Sequence, residues 1–266
     1  MVTRPVTLPP RLWRALALAL AAAAPLSVAA APDLAQLRIA SEGARPPYNF
    51  FNASNELAGF EIDLGRELCR RMKATCTFVP AEWDSMSERL NGRHFDAIMA
   101  AMEITPERER VMAFTKPYMR MPSAFLKRRE DVVPAVSPAA LEGRSIGVEA
   151  GGPHEAFIAE RYSKSTLRAY TLLEEAILDL AQGRIDVVIG DKDAVVDFLK
   201  TRREAQCCVL AGDVSRDPAF FGEGVGIGLR KSDDMLKRRF ETALDGAVAD
   251  GSYDRLRAKY FDFDIR

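Results

Sequence analysis

The chain has 266 residues, of which 48% are hydrophobic and 28% are charged, and its formal net charge is -1 at pH 7. This length and composition predict a folded protein of one large or two ordinary lobes, and the near-neutral charge argues against nucleic acid as a partner. Four cysteines and two histidines are present. No histidine lies at ligand spacing from a cysteine, so we expect neither a metal site nor another cofactor.

The first thirty residues have the three parts of a secretory signal peptide. Three arginines precede an alanine-leucine run at residues 15–24, and small residues follow at 27–31. The run is shorter than the ~20 strongly apolar residues that a membrane anchor needs. Cleavage after Ala29 or Ala30 would remove three arginines and no acid, which changes the net charge from -1 to -4. We therefore predict a signal peptide over residues 1–30 and export of a soluble chain.

After this segment, strands and helices alternate along the chain. Hydrophobic periodicity predicts strands over residues 37–41, 76–79 and 95–102, a helix over 59–72, and a short helix over 85–90 that ends near Gly92. This alternation predicts an open α/β layout with parallel strands.

A second block repeats the pattern after an irregular stretch at residues 132–138. It predicts strands over 145–148 and 185–189 and helices over 153–162 and 172–181. The C-terminal part has a glycine-rich segment at 224–230 and a predicted helix at 236–249, but no strand-helix unit of its own. We expect it to pack on the first block. Its glycines do not have dinucleotide-binding spacing, so we interpret them as an extended crossover segment.

The segment 100–118 carries the strongest functional signal. Thr105 can cap a helix with Pro106 in its first position, which leaves Arg108 within the first turn. The helix dipole disfavours a cation there by ~0.3–1 kcal/mol, although Glu107 reduces this cost. Arg108 and the free N–H groups of the turn therefore form a potential socket for a carboxylate. The alternative interpretation is a surface arginine paired with Glu103 or Glu107.

Several polar residues follow predicted strands at their carboxyl ends. Glu42 follows the first strand, Glu103 the third, residues 151–154 the strand at 145–148, and Asp191 the strand at 185–189. In open α/β sheets this edge is where ligands bind, so we expect one cleft to collect these residues. Taken singly, each could be a solvated loop charge, and Asp191 could be a helix cap.

The cysteines form two close pairs. Cys69 lies at the end of a predicted helix and Cys76 just before a strand, so in an exported protein we predict a disulfide between them. Cys207 and Cys208 are adjacent. Because a bond between neighbours is strained and rare, we predict two unpaired thiols.

Four stretches together resemble one known family. They are GFEIDLGRELCRRM at residues 59–72, AAMEITPER ending at Arg108, GRID at 183–186, and FFGEGVGIGLR at 220–230. Nearly end to end, the predicted mature chain resembles the periplasmic solute-binding proteins of ABC importers that serve polar and basic amino acids and opines.

The resemblance implies an α/β fold of two lobes, the type II periplasmic-binding-protein or flytrap fold. It implies lobe I over residues 33–120 plus 213–266 and lobe II over 121–212, joined by hinge strands near 119–122 and 209–214.

The resemblance also implies ligand contacts. Arg108 resembles the arginine that binds the ligand's α-carboxylate through two parallel hydrogen bonds. Asp191 matches the carboxylate that accepts the α-ammonium from the opposite lobe, and Trp83 matches an aromatic residue beside the ligand's side chain. Glu42 is similar to an acidic residue that meets a distal guanidinium or ammonium. Glu103 replaces the usual serine, but arginine binders of the family can carry an acid there.

The predicted ligand-binding set is completed by Ala101, by Gly152 and His154 at the start of the second lobe's helix, and by Arg45. Arg45 stands where an aromatic residue of the family normally completes a sandwich around the ligand's side chain. Gly152 and Pro153 replace hydroxyl-bearing residues, and Pro153 lacks an N–H that relatives offer to the carboxylate. A histidine like His154 occurs in some arginine and octopine binders.

The function implied is capture without catalysis. We expect a monomeric periplasmic protein that binds a basic or polar amino acid such as arginine, or an opine such as octopine or nopaline, and delivers it to a membrane permease. Glu42, Glu103 and Asp191 fit arginine, whereas Arg45 fits the second carboxylate of an opine. The alternative is a periplasmic dehydratase of the same fold that acts on prephenate-like acids. The sequence offers no nucleophile, histidine and acid arrangement in its support.

Overall fold

The computed structural model describes residue 2 and residues 36–214 and 217–266, so the predicted signal peptide lies outside the described residues. The strands are β1 Gln36–Ser41, β2 Ala44–Arg45, β3 Asn49–Phe51, β4 Leu57–Ala58, β5 Thr75–Pro80, β6 Ala97–Ile98, β7 Ala113–Phe114, β8 Ser123–Arg128, β9 Ser145–Glu149, β10 Thr166–Tyr170, β11 Val187–Asp191, β12 Cys208–Asp213 and β13 Gly228–Leu229. The α-helices are α1 Phe60–Met72, α2 Met86–Asn91, α3 Pro106–Glu109, α4 Pro153–Arg161, α5 Leu173–Ala181, α6 Lys192–Thr201, α7 Pro218–Phe221, α8 Asp234–Ala249 and α9 Ser252–Arg257. In the described part of the chain, none of the helices is long and apolar enough to cross a membrane.

The first large sheet has the strand order β5-β1-β6-β13-β7. Strands β5 and β6 run parallel to β1, whereas β13 pairs antiparallel with β6 and β7. The apolar face of α1 packs with α8 over this sheet, and Phe60, Leu64, Phe240 and Leu244 belong to the same buried core. The prediction that the C-terminal part packs on the first block is therefore confirmed.

The second large sheet has the order β10-β9-β11-β8-β12. Strand β9 lies between parallel β10 and β11, while β8 runs antiparallel to both of its neighbours. Successive side chains of a strand point to opposite faces. Accordingly Leu126 belongs to the core that includes α5 and α6 residues, and Phe125 to the core that includes α4 residues. We call the parts built on the two sheets the first and the second lobe.

The predicted order of elements is largely observed, but the purely parallel arrangement was wrong. Both sheets are mixed, because β13 and β7 close the first sheet and β8 and β12 close the second in antiparallel pairs. The strand predicted over 95–102 covers only Ala97–Ile98. The chain leaves the extended conformation by Ala101, whose φ is +50°, a left-handed value that is uncommon for a residue with a Cβ.

Of the two predictions about the cysteines, one was confirmed and one was wrong. Cys69, in the last turn of α1, and Cys76, in β5, form a disulfide with a Cα–Cα distance of 6.2 Å. Cys207 and Cys208 also form a disulfide, so the prediction of two unpaired thiols was wrong. The pair lies where a short helical turn, Arg203–Cys207, meets β12.

Candidate functional site

Arg108 lies in the four-residue helix α3, as its sequence context predicted. Thr105 caps this helix, because its Oγ1 accepts a hydrogen bond from the Arg108 N–H at 3.3 Å. The guanidinium donates to the backbone oxygen of Glu103 at 2.8 Å and stacks on the Trp83 ring, with 5.3 Å between Cζ and the ring centroid. Within the described residues it forms no ion pair with the carboxylate of Glu103 or Glu107. One edge and one face of the guanidinium are thus held, which leaves further N–H donors for a ligand.

The turn before Arg108 is anchored by a buried carboxylate that the sequence analysis did not select. Glu61 accepts hydrogen bonds from the Ala101 N–H at 2.7 Å and from Asn49 Nδ2 at 2.6 Å, and also from the Tyr118 hydroxyl. Burial raises the pKa of Glu61, while these three donors act in the opposite direction. Glu61 therefore fixes the backbone at Ala101, two residues before Glu103.

Three predicted site residues follow neighbouring parallel strands of the first lobe. Glu42 comes directly after β1, Trp83 comes after β5, and Glu103 comes after β6. Strand β1 pairs in parallel with both β5 and β6, so these three residues lie at the same edge of the sheet. Glu42 and Trp83 are half-buried, and Glu103 is exposed.

Asp191 is the last residue of β11 in the second lobe and occupies the N-cap position of α6. Its side chain makes no capping hydrogen bond, so its carboxylate is not used to cap the helix. The pKa of Asp191 is raised to about 6, chiefly by burial and next by the charge of Asp193, whereas Arg45 acts in the opposite direction. The charges of Glu103 and Glu149 also raise this pKa. Because 48% of the side chain stays exposed, water screens these interactions.

These charge interactions show which residues lie near one another. Arg45 and Glu103 belong to the first lobe, yet both act on Asp191 in the second. Arg45 is exposed on the short strand β2, and its charge also lowers the pKa of Glu61. Arg45 and Glu103 are therefore near enough for their charges to influence Asp191.

His154 lies beside Asp191 but is not a cation. Its Nε2 is 2.8 Å from the Ser123 hydroxyl oxygen and 3.7 Å from Oδ1 of Asp191. Burial lowers the pKa of His154 to about 4, so the ring is neutral at pH 7. Gly152 occupies the N-cap of α4, and a Cβ added there would meet nothing within 4 Å. The start of α4 thus borders open space.

Comparison with known proteins identifies the family of the chain. Residues 37–263 match the family model of the bacterial extracellular solute-binding proteins, family 3. The chain belongs to this family.

Two curated relatives and one solved structure are similar to this chain. An L-arginine-binding protein of Pseudomonas aeruginosa is 37% identical over 259 residues, which cover 93% of this chain and 97% of the relative. A putative ABC transporter arginine-binding protein 2 of Escherichia coli is 36% identical over 225 residues, which cover 85% and 90% of the two chains. A Salmonella typhimurium periplasmic binding protein with high arginine specificity has a TM-score of 0.54 and 30% identity, with 85% of this chain and 99% of the other covered. The two-lobe fold of this family 3 protein agrees with these relatives.

Sequence reasoning missed three acidic residues around the site of this solute-binding protein. Glu149 ends β9, next to parallel β11, so its position at a strand's carboxyl end was a usable signal. Asp193 follows Asp191 by two residues, in a helix that the sequence analysis considered only as the alternative in which Asp191 is a helix cap. Glu61 was hidden among the apolar positions of α1, and only its buried hydrogen bonds make it recognisable.

Proposed function

We propose that this family 3 protein is the periplasmic substrate-binding component of an ABC importer and delivers its solute to a membrane permease. The solute is a basic or polar amino acid such as arginine, or an opine such as octopine or nopaline. The charged segment followed by an apolar one at residues 1–30 supports export to the periplasm. The proposal describes a monomer without catalytic activity, in keeping with the binding proteins named above as relatives.

One observation carries the proposal: Asp191 of the second lobe lies within the electrostatic reach of Arg45 and Glu103 of the first. Arg108 is hydrogen-bonded to the Glu103 backbone and thus belongs to the same group. A zwitterion between the lobes would place its α-carboxylate on Arg108 and its α-ammonium on Asp191. Its side chain would extend along Trp83 toward the carboxylate of Glu42.

The remaining predicted contacts line this proposed path. Ala101 offers the turn that Glu61 anchors, and Gly152 places the start of α4 at open space. His154 is neutral and is held by Ser123, so it would act as a hydrogen-bonding neighbour of Asp191 rather than as a charge.

Arg45 would act differently on the two classes of solute, the basic amino acids and the opines. Arginine carries a guanidinium and a single carboxylate, so Glu42, Glu103 and Asp191 would attract it and Arg45 would oppose it. Octopine carries a second carboxylate, which Arg45 would bind while Arg108 takes the first. The acidic surroundings of Asp191 favour a cationic solute of either class.

Capture would proceed by closure of the lobes. We place lobe I at residues 33–120 plus 213–266 and lobe II at 121–212, with the solute bound first by Arg108 and Trp83. Contacts with Asp191 then become available only in the closed form, so ligand shifts the open-closed equilibrium. Small-angle scattering tests this step: the radius of gyration should fall with saturating solute, and an unchanged curve would contradict closure.

A thermal-shift panel tests the proposed solutes. The panel contains arginine, lysine, ornithine, histidine, glutamine, glutamate, octopine and nopaline. A ligand at 100 times its dissociation constant stabilises the folded state by ~2.7 kcal/mol. At least one cationic amino acid or opine should raise the melting temperature accordingly, whereas glutamate should not. A panel without any shift would refute the proposed function.

A further inference from the structure

Tyr48 belongs to none of the ligand contacts above, yet it connects the two lobes. Its ring is 2% exposed in the first lobe's core, with 5.1 Å between its centroid and that of Phe261. The backbone N–H of Tyr48 donates to the Arg45 backbone oxygen at 2.8 Å, and the backbone oxygen of Tyr48 accepts from the Glu61 N–H at 2.9 Å. Tyr48 is therefore fixed through both its ring and its backbone.

The hydroxyl of this fixed ring reaches the second lobe. It donates to Oδ2 of Asp193 at 2.9 Å. Asp193 lies in the first turn of α6, two residues after Asp191, and α6 packs in the second lobe's core through Val195 and Phe198. The hydrogen bond thus joins the core of one lobe to the helix that begins at the proposed ligand contact of the other.

The position of this bond suits a contact that persists during lobe rotation. The Lys192 N–H donates to the Pro122 backbone oxygen at 2.7 Å, immediately before β8 enters the second lobe. The start of α6 therefore lies beside the connection between the lobes, where rotation displaces atoms least. Two further contacts join α6 to the C-terminal segment: Lys192 Nζ lies 5.1 Å from the ring centroid of Phe263, and Lys200 pairs with Asp262 at 3.0 Å. The second pair is exposed on both sides and holds the helix only weakly.

We propose that Tyr48 is a positioning residue for ligand binding: its hydroxyl holds Asp193 and thereby sets where Asp191 stands relative to Arg45 and Arg108. This inference rests on the proposed function. A zwitterion has a fixed distance between its ammonium and its carboxylate. In the closed form, a bond that fixes the start of α6 against the first lobe would hold the two binding groups at that distance and reduce the ordering required on binding.

The test is the substitution Tyr48→Phe, which removes only the hydroxyl. Its matched control is Tyr170→Phe, because the Tyr170 hydroxyl donates to Asp179 at the same distance of 2.9 Å but lies wholly within the second lobe. Calorimetric titration with L-arginine, and in parallel with octopine, measures affinity, and thermal unfolding measures stability. We expect Tyr48→Phe to weaken binding roughly tenfold, a change of about 1.4 kcal/mol, and Tyr170→Phe to leave it unchanged.

A second variant, Asp193→Asn, separates the hydrogen bond of Asp193 from its charge. The groups that face Asp191 are Arg45, Glu103, Glu149 and His154 besides Asp193. The side-chain amide of this variant keeps an oxygen that can accept from the Tyr48 hydroxyl, so affinity at pH 8 should stay within a few-fold of wild type. The lost charge lowers the pKa of Asp191, so the pH below which binding weakens should shift downward. If Asp193→Asn binds as weakly at pH 8 as Tyr48→Phe does, the charge rather than the hydrogen bond sets the affinity, and the positioning role is refuted.

The outcomes distinguish this inference from the function beneath it. Wild-type protein that binds neither arginine nor octopine would refute both. If the wild type binds and Tyr48→Phe binds as Tyr170→Phe does, or more tightly than wild type, the positioning role of Tyr48 is refuted while the function stands.

Discussion

Replacement of Arg108 by lysine is the most direct test of the carboxylate site. Lysine keeps the charge but lacks the planar fork that can hold the Glu103 backbone oxygen, stack on Trp83 and bind a carboxylate at once. One lost charge-assisted hydrogen bond to the ligand costs about 1.5–3 kcal/mol. This loss corresponds to roughly 10- to 140-fold weaker binding.

Isothermal titration with the solute that gives the largest thermal shift measures this loss. The control is Arg110→Lys, because Arg110 is exposed just past the end of the same short helix. Arg110→Lys should unfold within about 0.5 kcal/mol of the wild type, and Arg108→Lys within about 1–2 kcal/mol because it loses the contacts with Trp83 and the Glu103 oxygen. Binding by Arg108→Lys within a few-fold of wild type would show that Arg108 does not hold the carboxylate.

Three further predictions concern pH, solute class and stability. Burial raises the pKa of Asp191 to about 6, so protonation should make L-arginine binding roughly tenfold weaker at pH 5 than at pH 8, and a flat calorimetric pH profile would contradict its role. Arg45→Ala should weaken octopine binding roughly tenfold and leave arginine binding equal or stronger, which parallel titrations measure; equal loss for both solutes would exclude its selective role. Glu61→Ala leaves three donors without their buried acceptor and should lower the free energy of unfolding by about 3 kcal/mol or more in urea. A loss below about 1 kcal/mol would mean that water replaces the carboxylate.

The sequence predicted the elements that carry strong local signals. Helix α1 has apolar positions at helical spacing, and the cap of α3 follows from Thr105 and Pro106. Both features depend on neighbouring residues alone, so their local pattern predicts them. The edge of the first sheet was also predictable, because Glu42 directly follows an apolar strand and Glu103 lies a few residues beyond another.

Features that depend on distant partners could not be predicted in this way. The antiparallel pairing of β13 in the first sheet depends on residues more than 100 positions away, such as Ile98. The hydrogen bonds that Glu61 accepts from Tyr118 and Ala101 likewise join three separate segments. Helix α6 was missed because it starts directly after β11 without a turn, with Asp191 shared by both elements.

The order of strands in the first sheet has a consequence for biosynthesis. Among the described residues, strand β7, Ala113–Phe114, pairs in that sheet only with β13, which contains Gly228 and Leu229. These two residues are synthesised more than 100 positions after β7, so the sheet cannot be completed until that later segment has left the ribosome. Until then β7 lacks the strand that joins it to the rest of the sheet, and the first lobe completes its fold late in synthesis.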